Sequence, residues 1–452
     1  MKAPMLLRPG ILSRRHFLAA SAGLGFFAGT RRGFAGDAEG ADYPRATSSD
    51  DREPDWKERL TMTVGPEKGD VVGRDDKAIQ AAVDYVKRLG GGTVRILPGE
   101  YKLRNSVYLP SNIRMIGCGA DTILRKEPSV TTQLAADSDW YDQEITLADP
   151  SGFRVGDGIC LKTKNPHNGA INYAKRTLVA RSGKRFKLDR ALRENYWLMG
   201  ESTASALFPL ITGEEIRDVT IENLVLDGNK EQNELLDGNY AGCLFFQDCI
   251  RLSFRGVEAR NYNGDGMSWQ ICHDVVVEDC HSHDNSGLGM HPGSGSQRPI
   301  MRNNRIENND IGIFFCWGVK RGVAEGNQIR NNRNVGVSIG HRDTDNVIRD
   351  NEIVGSGRVG VLFRPERGKD FAPHRNRLEN NRILDSGDDS GIAVDIMGQT
   401  EAIELVANQI HETRGPMRRV GVRIGAETKN VKLDDNRVEG FSLAVADLRM
   451  PQ

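Results

Sequence analysis

His291 and His341 are the two side chains best placed by type to move a proton near neutral pH, and each lies just beyond a glycine-led apolar segment: Gly289-Met290-His291 and Gly336-Val337-Ser338-Ile339-Gly340-His341. Arg364 and Arg342 offer planar guanidinium groups of the kind that hold a carboxylate through two parallel bonds. Together these four residues suit abstraction of a proton beside a carboxylate, with the arginine neutralising that carboxylate. Asp265 is a fifth candidate catalytic residue, because it stands in a column otherwise held by Ala241, Leu288, Ile311, Val335 and Val359. The "NYNGDG" setting also gives it a turn reading, which is slightly favoured. Trp317, Phe314, Gln270 and Asp343 fall close by in the repeat and are expected to contact substrate. A hydrolase would instead need two opposed carboxylates, for which Asp265, Asp284, Asp343 and Asp345 are available. A third possibility is a face that binds glycan through Trp317 and Phe314 without turnover.

The elements that must position these residues are short strands at a fixed period. Glycine opens a segment at Gly242, Gly266, Gly289, Gly312, Gly336, Gly360 and Gly391, and Asn-x-Ile/Val recurs from Asn304 through Asn327, Asn351, Asn381 and Asn408 to Asn436. Two independent markers sharing a period of roughly two dozen residues indicate a solenoid, one rung per repeat. With glycine as position zero, the first and third residues after it face inward. The second and fourth face solvent. This puts Cys243 and Phe245 inside in the first such rung, and Leu244 and Phe246 outside. Rungs spaced roughly 4.8 Å apart bring Trp317, His341 and Arg364 onto adjacent turns, with His291 two rungs from His341. The Asn column is expected to be a structural ladder of side-chain amides. His281 falls near its slot and is discounted as catalytic.

Upstream, Asp75 or Asp76 caps a helix whose apolar face is Ile79, Ala82, Val83 and Val86, stopped by Gly90-Gly91-Gly92. The run "DDKAIQAAVDYVKRLGGGTVRILPGEYKL" followed by "LPSNIRMIGCG" resembles the opening of the pectate-lyase-like (pectin-lyase-fold) superfamily. The resemblance implies an all-β chain, a right-handed parallel β-helix capped by an N-terminal α-helix. It also implies action on a polysaccharide, and the resemblance together with the His/Arg patch ranks a polysaccharide lyase or C5 epimerase first, a glycoside hydrolase second and glycan binding without turnover third. Polygalacturonase-type members carry Asn-Thr-Asp, an Asp-Asp pair and Gly-His-Gly; here only Gly340-His341-Arg342 is found. The superfamily leaves room for Ca²⁺, for which Asp388, Asp389 and Asp395 cluster late in the coil, and no other cofactor is implied. Residues 67–126 are read as the cap helix and first rungs, 127–206 as a small β insertion, and 207–452 as the repeat region. The "DGNK" run leads into a loop from Gln232 to Tyr240 expected to border the cleft.

Residues 1–35 resemble a twin-arginine signal peptide: Ser13-Arg14-Arg15-His16-Phe17-Leu18, an apolar stretch too short to span a bilayer, and small residues before a cleavage point after Ala35. Leaving them out removes six basic residues and no acidic one, and shifts the formal charge from −1 to −7. A mildly acidic chain argues against nucleic acid or an anionic membrane as partner. The expected partners are a polysaccharide and, during export to the periplasm or beyond, the twin-arginine translocase. Residues 36–66 read as a polar linker. The seven cysteines form no CxxC pair and are expected to fill the solenoid interior as small apolar residues.

Overall fold

The computed structural model describes residues 57–415 and 418–449. The expected export signal, residues 1–35, lies outside the described residues. The polar linker ends sooner than expected: Thr61–Gly65 is already a strand, paired in parallel with Gly92–Ile96.

Three long parallel sheets, of 13, 11 and 11 strands, run side by side along the chain. Each turn contributes one strand to each sheet, as in His273–Glu278, His281–His283 and Leu288–Gly293. The fold is a right-handed parallel β-helix. The cap helix covers Asp76–Arg88; Asp75 accepts a hydrogen bond from the Ala78 N–H, and Ile79, Ala82, Val83 and Val86 are buried against the first rungs. That end of the coil is thereby closed to further strand pairing. Among the described residues no helix is long and apolar enough to cross a membrane.

Inside, apolar residues stack in columns: Ile306, Ile329, Ile353, Ile383 and Ile410 in the second sheet are all within 1% of full burial. The glycine column exists because of this stack. A Cβ at Gly289 would sit 2.5 Å from Ile306 Cγ2, and one at Gly336 2.6 Å from Ile353 Cγ2. The asparagine column is the expected ladder. Asn327 Oδ1 accepts from the Asn304 backbone N–H (3.0 Å) and Nδ2 (2.9 Å), while its own Nδ2 donates to Met301 O and Asn351 Oδ1. Its first slot is held by Cys280, whose N–H donates to Asn304 Oδ1. His281 is therefore one residue past the ladder and faces outward. All seven cysteines are free thiols; six are buried, whereas Cys118 is exposed and departs from the expected interior role.

Residues from Thr131 to Ser205 form a six-stranded antiparallel sheet with its own core, including Leu147, Leu161, Phe186 and Tyr196. The coil resumes in register behind it, with Ile113 paired directly to Val219. Lys126 stitches the two ends of this insertion: its buried Nζ donates to Ala206 O (2.8 Å) and to Asn233 Oδ1.

Candidate active site on the third sheet

The candidate residues lie on and beyond the outer face of the third sheet. Its central strands are Gly242–Gln247, Asp265–Gln270, Leu288–Gly293, Ile311–Phe314 and Val335–Ile339. Their register gives an outward row of Phe245, Ser268, His291, Phe314 and Ser338. One expectation fails at the start of this row. Gly242 pairs with Asp265, not Gly266, and Leu244 pairs with Met267, so the first rung is slipped by one residue. Leu244 and Phe246 consequently point inward and Phe245 outward, because a single-residue slip exchanges the two faces of a strand.

Asp265 and His291 meet. The His291 Nδ1 lies 2.8 Å from Asp265 Oδ2, and the Leu288 N–H donates to Asp265 Oδ1 at 2.9 Å. The Asp265 carboxylate thus bonds the next rung, not its own turn, and the turn-cap reading does not hold. The His291 Nε2 is buried without a hydrogen-bond partner, as is Gln270 Oε1, which lies against Gly293 while Gln270 Nε2 donates to Ser268 Oγ. Native structures rarely leave such groups orphaned, and those that remain call for a reason.

The site is outward-facing but covered, contrary to the expectation of an open surface. Asp265, His291 and Gln270 are 3%, 2% and 4% exposed. The cover over Asp265 is the loop that leads into Gly242. Ser268 Oγ donates to Gly238 O, and a Cβ at Gly238 would lie 1.8 Å from Asp265 Oδ2. The loop beginning at Gln232 does border the site, as expected. On the other side the Phe314 ring meets His291 edge-on, with centroids 5.5 Å apart.

Arg364 reaches the same ring from below, its guanidinium 4.2 Å from the Phe314 centroid. It runs back over Gly340, where a Cβ would come within 2.2 Å of it, and donates to Ser338 Oγ (2.7 Å) and Phe315 O (2.8 Å). His291 and Arg364 therefore share Phe314. Asp343 does not join them as a substrate contact. It is fully buried and accepts from the backbone N–H groups of Gly318, Val319 and Gly340. Burial pushes its carboxyl up, opposed by Arg364 and those N–H groups. Its role is to close a turn.

His341 and Trp317 form a second group at the edge of this face. Their rings stack at 4.8 Å and 24°, and the Phe371 ring also packs against His341, with centroids 5.1 Å apart. Trp317 is 60% exposed, whereas His341 is 8% exposed, again against expectation. Glu366 links the groups, 3.5 Å from His341 Nδ1 and 3.7 Å from Arg364 Nε. Arg342 stays in the turn, donating to Asp370 O over the Phe371 ring. Six of the candidates, Asp265, His291, Phe314, Arg364, His341 and Trp317, thus lie in one chain of contacts joined through Glu366, whereas Arg342 and Asp343 do not serve its open side.

The remaining acids do not pair across this face. Asp345 is held by Arg375, and Asp284 lies beyond the second sheet beside His283. The carboxylates proposed for Ca²⁺ do not fit that ion: Asp395 is bound by both arms of Arg423, while Asp388 caps Ser390 and Asp389 faces Arg419. Hard-cation sites need carboxylate oxygens converging on one point, whereas each of these three is engaged by its own partner.

Sequence reasoning missed Lys175. It comes from the insertion and places its ammonium 3.7 Å from the centroid of Phe245, two rungs above His291. Burial lowers its pKa to about 8. The insertion has no repeat, so no periodic marker could place Lys175 over the row. Ser268 was legible as an outward residue. Glu366 and Phe371 sit in a loop outside the repeat.

Known proteins share the fold. Residues 241–410 match the family model described as a right handed beta helix region. Two mannuronan C5-epimerases of Azotobacter vinelandii, AlgE2 and AlgE5, are 22% and 23% identical over 71% of this chain. The chain spans about a quarter of the length of these relatives (24% of each). The solved A-module of the AlgE4 mannuronan C-5 epimerase from Azotobacter vinelandii superposes with a TM-score of 0.54 at 16% identity, over 84% of this chain and 97% of the module. At that identity the likeness is one of fold: the right-handed parallel β-helix.

Proposed function

We propose that this chain is a carbohydrate-active enzyme that removes the C5 proton of a uronate residue in a polysaccharide, as a lyase or a C5 epimerase. The observation that carries this reading is the Asp265–His291 pair with its unpartnered Nε2, set in a row between Lys175 and Arg364. Asp265 accepts the proton of Nδ1 and so leaves the Nε2 lone pair as base, fixed in direction. Negative charge that develops on the sugar carboxylate as the proton leaves is met by Arg364, with Lys175 holding a neighbouring uronate. From that intermediate, protonation of C5 on the opposite face by a water molecule gives the epimer, and the hydroxide left behind is neutralised by the proton held on His291. In elimination, the electron pair forms the C4–C5 double bond, the C4–O bond breaks, and the departing oxygen takes up a proton. Substrate reaches Nε2 when the cover yields, namely the loop over Asp265 and the Phe314 ring. The reaction class named for the epimerase relatives agrees with this chemistry.

Glycan binding without turnover is a second reading, favoured by the exposed Trp317 ring. Incubation with polymannuronate, polyguluronate and polygalacturonate separates the two. Elimination gives an ultraviolet-absorbing unsaturated end, and epimerisation changes the uronate ratio seen by NMR. Reducing ends without unsaturation indicate hydrolysis and contradict the proposal, as does saturable binding with no product. We further propose export through the twin-arginine translocase to the periplasm or beyond, motivated by Arg14-Arg15 before Phe17-Leu18. Replacing both arginines by lysine is expected to leave precursor in the cytoplasm, and unchanged export rejects that route.

A further inference from the structure

The second sheet carries a group of side chains that the reaction above does not use. His281 and His283 flank Ser282 on one short strand. Ser282 points inward, fully buried, and donates to Gly289 O, so both imidazoles face outward. The rings stack with centroids 3.9 Å apart and planes 21° apart. Glu258 is the register partner of His281 on the preceding rung, and Glu307 that of His283 on the following one. One ligand atom from each of Glu258, His281 and His283 lies within 4.8 Å of the others. Glu307 Oε1 is 3.1 Å from His281 Nε2.

We propose that Glu258, His281 and His283 form a site for a divalent transition metal of the Zn²⁺ class, with Glu307 as the available fourth donor. Two imidazoles and carboxylates suit Zn²⁺ better than Ca²⁺ or Mg²⁺, which favour oxygen-only shells. His283 is prepared as a ligand: its Nδ1 lies 2.6 Å from Asp284 Oδ2, which directs Nε2 toward Glu258, 3.3 Å away. A carboxylate behind the imidazole is the usual means of orienting a metal-binding histidine. Arg260 and Arg305 also touch these carboxylates, at 2.6 and 2.8 Å, so the metal must compete with two ion pairs. Elsewhere the same two columns hold such pairs without histidine, as in Arg330 with Glu352.

The location gives the site a purpose. Glu258 belongs to the same turn of the coil as Asp265, and His281 and His283 to the same turn as His291. A metal here ties together the two rungs whose alignment sets the Asp265–His291 bond, from another sheet of the coil. The inference stands on the second sheet alone and does not depend on the reaction proposed for the third.

The test uses the purified full chain, without a histidine tag and stripped with chelator. Titration with Co²⁺ is expected to give visible ligand-field absorption that saturates at one equivalent and is displaced by Zn²⁺. Zn²⁺ is expected to raise the melting temperature, and Ca²⁺ and Mg²⁺ are not. A His281→Ala/His283→Ala double variant should lose the absorption and the Zn²⁺ shift while keeping the parent's circular dichroism. Glu258→Gln should weaken Zn²⁺ binding by at least about tenfold, in line with loss of a ligand or its orienting partner. If the double variant fails to fold, Glu258→Gln decides alone: unchanged Zn²⁺ affinity overturns the site. Absence of saturable Co²⁺ absorption in the parent overturns it as well.

Discussion

At the scale of the residue, the proposed proton abstraction depends on what Asp265 does to His291. The carboxylate accepts from Nδ1, so it acts on the base and not on the sugar. Asp265→Asn is then expected to be as damaging to proton abstraction as loss of the histidine's correct tautomer. Turnover should fall by roughly 10²–10⁴-fold, the usual worth of a positioned base. The amide can still accept from the Leu288 N–H, so the stability loss should stay within about 1–3 kcal/mol. Steady-state turnover with circular dichroism melts checks both, and near-parental turnover by this variant would remove Asp265 from the mechanism. Lys175 supplies a pH signature. Burial lowers its pKa to about 8, so the ammonium is present below that pH and lost as pH rises through it. If it holds a uronate carboxylate, KM should climb above about pH 8 in the parent, and Lys175→Met should have a raised KM without that rise.

At the scale of the element, the regular parts of the coil were legible and the irregular ones were not. The ladder asparagines, the glycine column and the capping helix all follow from periods that local sterics and hydrogen bonding impose, and the structure contains each of them. Asn327→Ala should remove four hydrogen bonds and cost about 1–3 kcal/mol, with turnover unchanged below the melting transition. Loss of activity at parental stability would instead give that column a functional role. The slip at Gly242 escaped notice because Cys243 occupies the slot that Gly266 fills one rung later. Burial of the candidate residues was equally hidden. A period says which way a side chain points but not what lies over it, and here the cover comes from Gly238 and Phe314. Arg364 illustrates the same limit: its outward position was readable, but its path over Gly340 to Phe315 O was not.

At the scale of the whole molecule, the solenoid provides a long face on which one strand per turn presents one side chain, and the candidate site lies where two additions meet it. The insertion brings Lys175 from one direction, and the loop after Phe363 brings Glu366 and Phe371 from the other. Cations at Lys175 and Arg364 on either side of the Asp265–His291 pair suit a polyanionic chain lying along the rungs, with the metal-ligating cluster on the second sheet bracing the same turns. The central claim is that His291 removes a C5 proton. Incubating the purified protein with a polyuronate in D₂O and reading C5 by NMR is the direct test. Deuterium is expected at C5 in recovered or inverted residues, or a C4–C5 double bond in cleaved ones, with both signals falling at least about 10²-fold in His291→Ala. Reducing ends released with C5 fully protonated and no unsaturation, or C5 exchange that persists in His291→Ala, would contradict it.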